Sequence, residues 1–452
     1  MNDSDLLALS ASEQARELAK GSLSCLALTN LYLARIEDLN GQLNAFTHVA
    51  PRRARWAAKQ WDRAYRKGQQ NKGPLSGIPT GIKDLALVRG MPTRFGSRAV
   101  PPITTATDSI GTKRIRRAGM IITGKLATSE FGAMPVTEPE IHPPTRTPFN
   151  LDHSAGGSSG GTGAAVSGGL LPIAQGSDGA GSIRIPSAIG NLVGLKTSRG
   201  LISHITPVDT EMRLAGIGPL ARTVEDLAAF LDAIADWPND FHGSHQRELK
   251  KGLRVSLSTA SPIADTPPEY QKAAEAVAKI LEDLGCIVTP KPWLDVDIDE
   301  FLILWKRLLA NAPRLIESRL QPITQWLRTE GKKIKPAKAV ATRIRLEHEV
   351  LGWFGDSDLW VSPTMAMKSP KIGAWRDEDP EKSFHNVLGM GAYTAGFNVS
   401  GQPAISVPMG FCDDGLPIGV QIAGRVGSDA LLVQVAHAIE ESVGGFRVPL
   451  PI

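Results

Sequence analysis

Between residues 24 and 39, apolar side chains recur at three-and-four spacing, with Leu26, Leu28, Leu31, Leu33 and Ile36 on one stripe. That period predicts an amphipathic helix. Ser10-Ala11-Ser12-Glu13 opens an earlier helix with a capping pattern, and residues 52–67 continue in the same style, so the stretch 4–70 reads as helices. From Pro74 the character changes. Short apolar runs alternate with glycines and helical stretches, at residues 77–83, 120–124 and 170–174. Strands alternating with helices predict an α/β fold whose sheet is covered on both faces.

The later chain repeats this grammar. Residues 222–235 form an amphipathic helix, with Thr223 as cap ahead of Glu225-Asp226. The polar run from Trp237-Pro238-Asn239-Asp240 to Lys251 reads as a surface connection. Residues 253–258 are a strand, 270–284 a helix ending at Gly285, and 300–355 long helices. Strands at 404–408 and 418–422 and a helix at 429–442 close the chain, and no internal repeat is visible. Residues 151–187 are extreme in glycine and serine. The apolar runs around them, and Ile183, Ile185 and Pro186 within them, argue against a flexible linker.

Composition narrows the classes. At 452 residues with 42% hydrophobic content, the chain can bury a sizeable core as one large domain. Charged residues are 21% and nearly balanced at net +4, which does not suggest nucleic acid as partner. The short basic run Gly331-Lys332-Lys333-Ile334-Lys335 reads as solvated surface. Cys25, Cys286 and Cys412 are odd in number and far apart, which fits a reducing compartment and no disulfide framework. The acidic start, Met1-Asn2-Asp3-Ser4-Asp5, lacks the form of a signal peptide, and no apolar run is long enough to span a membrane. The expectation is a cytoplasmic protein with no metal and no cofactor.

Three features carry chemistry: Gly156-Gly157-Ser158-Ser159-Gly160-Gly161, Asp178-Gly179-Ala180-Gly181-Ser182-Ile183-Arg184-Ile185-Pro186, and Lys83 in Gly81-Ile82-Lys83-Asp84. Glycines let backbone N–H groups turn inward and let a substrate approach. Inward N–H groups at Gly179, Ala180, Gly181 and Ser182 would form an oxyanion hole, and each such donor typically lowers a barrier by ~3–4 kcal/mol. Ser182 beside them is placed as a nucleophile, but its hydroxyl needs a base. No histidine lies in either glycine-rich motif; His142 and His153 precede the Asp178–Pro186 motif and His204 follows it. A lysine is the alternative base, provided burial keeps it neutral. Lys83 stands where an apolar run ends. Ser158 then relays the proton from Ser182 to Lys83 and back to the leaving amine, because an amide anion leaves poorly.

These motifs resemble the amidase signature family. Gly77-Ile78-Pro79-Thr80-Gly81-Ile82-Lys83-Asp84 matches that family's lysine motif. Gly156 to Gly161 matches its glycine–serine loop without change, and Asp178 to Pro186 matches its third motif except at Ala180. The separation of Ser158 from Ser182 is also similar. The resemblance covers nearly the whole chain, most weakly over 235–380. It implies a mixed, twisted central sheet between helical layers, a cis peptide bond at Ser158, and a Ser182–Ser158–Lys83 triad. It further implies Gly179, Ala180 and Gly181 as oxyanion donors, and Ser159, Asp178 and Arg184 as loop supports. The implied regions are 4–70 (helices), 74–235 (catalytic core), 236–400 (variable, substrate-pocket) and 401–452 (closing strands and helix).

Ala180 stands where the family has glycine, so the turn must accept an ordinary backbone there, with the methyl beside the acyl pocket. The run is similar to that of members resembling 6-aminohexanoate cyclic-dimer hydrolase. Expected substrates are small-molecule amides, extending to aryl, cyclic or ω-amino-acid amides, esters or carbamates. Candidate pocket residues are Phe131, Met134, Ile205, Trp305 and Phe397; the candidate stretches are 131–135, 205–208 and 390–397, with Trp305 and Asn398 beside them. A monomer or homodimer is expected, without nucleic acid or membrane.

Three other readings are weighed. Gly157-Ser158-Ser159-Gly160-Gly161 fits a nucleophile elbow, but residues 151–155 are not the apolar strand it needs. Lys196-Thr197 lacks the preceding glycine of a phosphate loop. The amidase subunit of a transfer-RNA-dependent amidotransferase is the alternative within the family, and the chain carries no basic appendage to favour it.

Overall fold

The computed structural model describes residues 2–68, 73–203, 211–236, 240–295, 297–312 and 316–452. Eleven strands make one sheet: β1 (Phe46–Val49), β2 (Pro79–Lys83), β3 (Ile121–Leu126), β4 (Ile173–Asp178), β5 (Val193–Lys196), β6 (Gly216–Ala221), β7 (Arg254–Leu257), β8 (Ile287–Pro290), β9 (Leu359–Pro363), β10 (Ala404–Phe411) and β11 (Pro417–Gly424). Their spatial order is β1-β3-β2-β4-β6-β5-β10-β11-β9-β7-β8. The sheet is mixed, as the resemblance implied. β3, β2 and β4 run parallel, as do β9, β7 and β8, and the remaining neighbours are antiparallel.

β11 is buried at all eight positions, which requires cover on both faces. The helix Arg184–Ile189 packs on β10 and β11, and the helices Pro268–Asp283 and Asp429–Ser442 also pack there. Those last two lie within two residues of the sequence-predicted spans, because each carries an apolar stripe. Ser10 caps the helix Ala11–Lys20 by accepting from the Glu13 N–H, and Thr223 does the same for Val224–Ile234 through Asp226.

The expectation of continuous helices over 4–70 is corrected by β1. Its four residues pair with β3 from the sheet edge, and the Phe46 N–H is held by the Asn40 side chain at 2.7 Å. Pairing and this cap override the local helical pattern. β6 was also illegible: Gly216-Ile217-Gly218-Pro219-Leu220-Ala221 has little strand propensity, yet it is paired on both sides. The glycine–serine stretch is a built part of the core, containing β4 and two helices. Residues 237–239 of the expected surface connection lie outside the described residues. The three cysteines are free and buried, and no helix among the described residues is long and apolar enough to cross a membrane.

Candidate active site

Parallel pairing of β2 with β4 brings their C-terminal ends together, where open α/β sheets present ligand sites. Lys83 is the last residue of β2, and Ser177 and Asp178 end β4. The Lys83 N–H donates to Gln175 Oε1 at 3.1 Å, which fixes the strand end. Its Nζ donates to Ser158 Oγ at 2.7 Å and to the Ser177 carbonyl at 3.0 Å. Lys83 and Ser158 are almost wholly buried. Burial pushes the Lys83 amine down to about 7, although the Asp178 carboxylate pulls the other way.

Ser158 follows a cis peptide bond from Gly157, the geometry the resemblance implied. Ser159 then leads into α1 (Gly160–Ser167). The Ser159 N–H donates to the Ser182 carbonyl at 3.3 Å, and its Oγ donates to the Ser177 carbonyl at 3.1 Å. Ser159 thus ties both glycine-rich loops to the end of β4.

Ser182 lies between β4 and α2 (Arg184–Ile189) and lines a cavity. The turn before it hangs on Asp178. The Asp178 carboxylate accepts from the Gly181 N–H at 2.6 Å, from the Ile183 N–H at 3.1 Å, and from Arg184 Nε and Nη2 at 2.9 and 3.0 Å. Burial would raise the Asp178 carboxyl; the adjoining Arg184 guanidinium outweighs it and holds the group well below the usual carboxylate range. The Gly181 N–H, expected among the oxyanion donors, is taken by Asp178 in this structure. Gly181 adopts φ 126°, and an added Cβ would sit 2.4 Å from Thr394 Oγ1. Ala180 keeps an ordinary φ and is among the residues lining the cavity.

A third segment completes the support, and no pattern along the chain marks its role. Asn398 in α3 (Ala395–Ser400) donates to the Asp178 carbonyl and carboxylate at 2.9 and 3.0 Å and accepts from Arg184 Nη2 at 2.6 Å. Thr394 Oγ1 donates to the Ala180 carbonyl at 2.6 Å. Gln421 accepts from Arg184 Nη1 at 2.6 Å and donates to the Tyr393 carbonyl at 2.7 Å. Asn398 belongs to this network rather than to the pocket wall where the sequence put it.

Of the candidate pocket residues, Met134, Trp305 and Phe397 line the cavity. Phe131 is not part of its lining and stacks on Phe95 at 6.2 Å instead. Ile205 lies outside the described residues, as does His204. His142 and His153 each place Nδ1 within hydrogen-bond distance of a backbone carbonyl, that of Pro143 and of Ser369. The elbow reading fails on geometry: residues Asn150–Ser154 are a strand, but of a two-stranded side sheet. Lys125 and Lys196 are also buried; burial lowers both amines, that of Lys196 to about 7, and Lys196 donates to the Thr197 carbonyl at 2.8 Å.

This fold recurs in known proteins. The model of the amidase family matches residues 27–433, and the chain belongs to that family. A putative amidase of Synechocystis sp. is 34% identical over 98% of this chain and 90% of its own. The 6-aminohexanoate-cyclic-dimer hydrolase of a Pseudomonas sp. is 33% identical over 95% of this chain and 94% of its own. Among solved structures, a 6-aminohexanoate cyclic dimer hydrolase superposes with TM-score 0.86 at 30% identity, covering 98% of this chain and 99% of that one. A bacterial aryl acylamidase superposes with TM-score 0.87 at 25% identity, covering 96% of both. The chain is accordingly a hydrolase of amide C–N bonds.

Proposed function

We propose that the chain hydrolyses small-molecule amides through an acyl-enzyme on Ser182, with Ser158 as proton relay and Lys83 as base. The observation that carries this reading is the 2.7 Å contact of Lys83 Nζ with Ser158 Oγ, made by a buried amine whose pKa lies near neutrality. A neutral lysine accepts the Ser158 proton as Ser158 takes that of Ser182, whose Oγ bonds to the substrate carbonyl carbon. The N–H groups of Gly179, Ala180 and Ser182 receive the developing oxyanion. The proton returns through Ser158 to the amine as the C–N bond breaks. Water enters on the same route and frees the acid. No metal or cofactor is called for in this sequence of steps.

Cyclic amides, named for one relative, and aryl amides, named for another, are the substrate classes to try first. Labelling with a fluorophosphonate, read by peptide mass spectrometry, tests the reading. The adduct is expected on Ser182 and absent from the Ser182→Ala chain; an adduct elsewhere, or hydrolysis by Ser182→Ala, overturns it.

A further inference from the structure

We infer that the substrate is an uncharged, largely apolar amide, and that ω-amino-acid amides with a free ammonium, or amides with a free carboxylate, are rejected. This rests on the amidase reading of Ser182 and says what must fill the space beside it.

Ser182 opens on a cavity of about 120 Å³. Apart from Ser182, every described residue lining it is glycine, alanine, proline, branched aliphatic, methionine or aromatic, and none carries a charge.

The indole N–H groups of Trp305 and Trp353 are already used. The Trp305 N–H donates to the Ala133 carbonyl at 3.0 Å, and that of Trp353 to the Pro292 carbonyl at 3.2 Å. The ring of Trp305 lies against the nucleophile loop, 3.4 Å from where a Cβ on Gly179 would stand, and Phe301 stacks on it at 5.8 Å. Trp293 meets Trp353 edge-on at 4.9 Å on another part of the wall. These rings present flat apolar surface to a ligand. The nearby ions Asp178 and Arg184 are buried and satisfy each other, so they offer a substrate no counter-charge.

An ionised end entering this space would lose its water and find no partner, which is strongly unfavourable. An apolar end gains from burial, by roughly fourfold in binding per methylene. The lining of the cavity therefore discriminates against charge. A neutral cyclic or N-aryl amide meets that condition, whereas an open ω-amino acid amide fails it.

The experiment compares near-isosteric substrates that differ only at the far end: heptanamide, 6-aminohexanamide and adipic acid monoamide, with the matching N-heptyl, N-(6-aminohexyl) and N-(5-carboxypentyl) acetamides to probe the amine side. Released ammonia, amine or acid is followed by mass spectrometry at pH 8, with fluorophosphonate labelling of Ser182 in parallel. The expected result is kcat/KM at least a hundredfold higher for the uncharged member than for either charged one in at least one series, with pentanamide below heptanamide. If Ser182 labels and the charged members come within tenfold of the neutral one in both series, the inference is overturned and the amidase mechanism stands. If Ser182 does not label and no amide is cleaved, the mechanism falls with it.

Discussion

The side-chain nitrogen of Lys83 stands 2.7 Å from Oγ of Ser158, across 75 positions of sequence, and both groups are shut away from solvent. A lysine in that position is a base only when neutral. Burial supplies that condition by depressing its pKa to about 7.

The pH dependence follows. Below pH 7 Lys83 carries a proton and cannot accept another, so kcat/KM is expected to fall about tenfold per pH unit toward pH 5.5 and to level off above pH 8. Lys196 titrates in the same range, so the Lys196→Met chain is the control and is expected to keep the parent's midpoint. A parent profile that is flat between pH 5.5 and 8, or a midpoint that moves in Lys196→Met, contradicts the assignment to Lys83.

Replacing Ser158 by alanine removes the proposed relay while leaving Ser182 in its loop. The expected loss in kcat is about 10²–10⁴-fold, the usual contribution of a positioned proton-transfer group. Circular dichroism should be unchanged. Activity within threefold of the parent would mean that the proton leaves Ser182 by another route.

The Asp178–Arg184 pair is wholly buried, with Asn398, Gln421 and the Thr394 carbonyl around it. Arg184→Met leaves the Asp178 carboxylate buried without its cation and is expected to cost about 3–5 kcal/mol of stability. Urea unfolding reads this directly. A loss below 1 kcal/mol would show that the carboxylate is compensated elsewhere.

Thr394 touches the loop, not the substrate carbonyl. Thr394→Val deletes its bond to the Ala180 carbonyl, and a slightly displaced loop is expected to lower kcat about tenfold or more with KM little changed. Thr394→Ser, which keeps the hydroxyl, should restore most of it. If KM rises and kcat holds, Thr394 acts on binding instead.

Positions 180 and 181 should answer in opposite ways. Gly181→Ala forces a side chain into φ 126° and onto Thr394 Oγ1, and activity is expected to vanish. Ala180→Gly removes only a methyl from the cavity wall and should retain activity on simple amides. Equal activity of the two variants would refute the described turn.

What the sequence alone made legible was local. The Ser158 and Ser182 loops announce themselves through runs of small residues, and the stripe at 429–442 and the caps at Ser10 and Thr223 carry their helices within a few residues of chain. The identity of Lys83 as the one candidate base followed from its motif. Its burial, and therefore its proton affinity, came from packing, because desolvation is a property of surroundings rather than of sequence. The same holds for strand β1, stabilised at the sheet edge by a partner some 75 residues on, and for the Gly181 N–H, which only the folded turn gives to Asp178. Asn398, Thr394 and Gln421 reach the Ser182 loop from more than 200 positions away, and no pattern along the chain records such a contact. The cavity is the extreme case. Met134, Trp305, Trp353 and Phe397 look like ordinary core residues until the fold sets them around one serine.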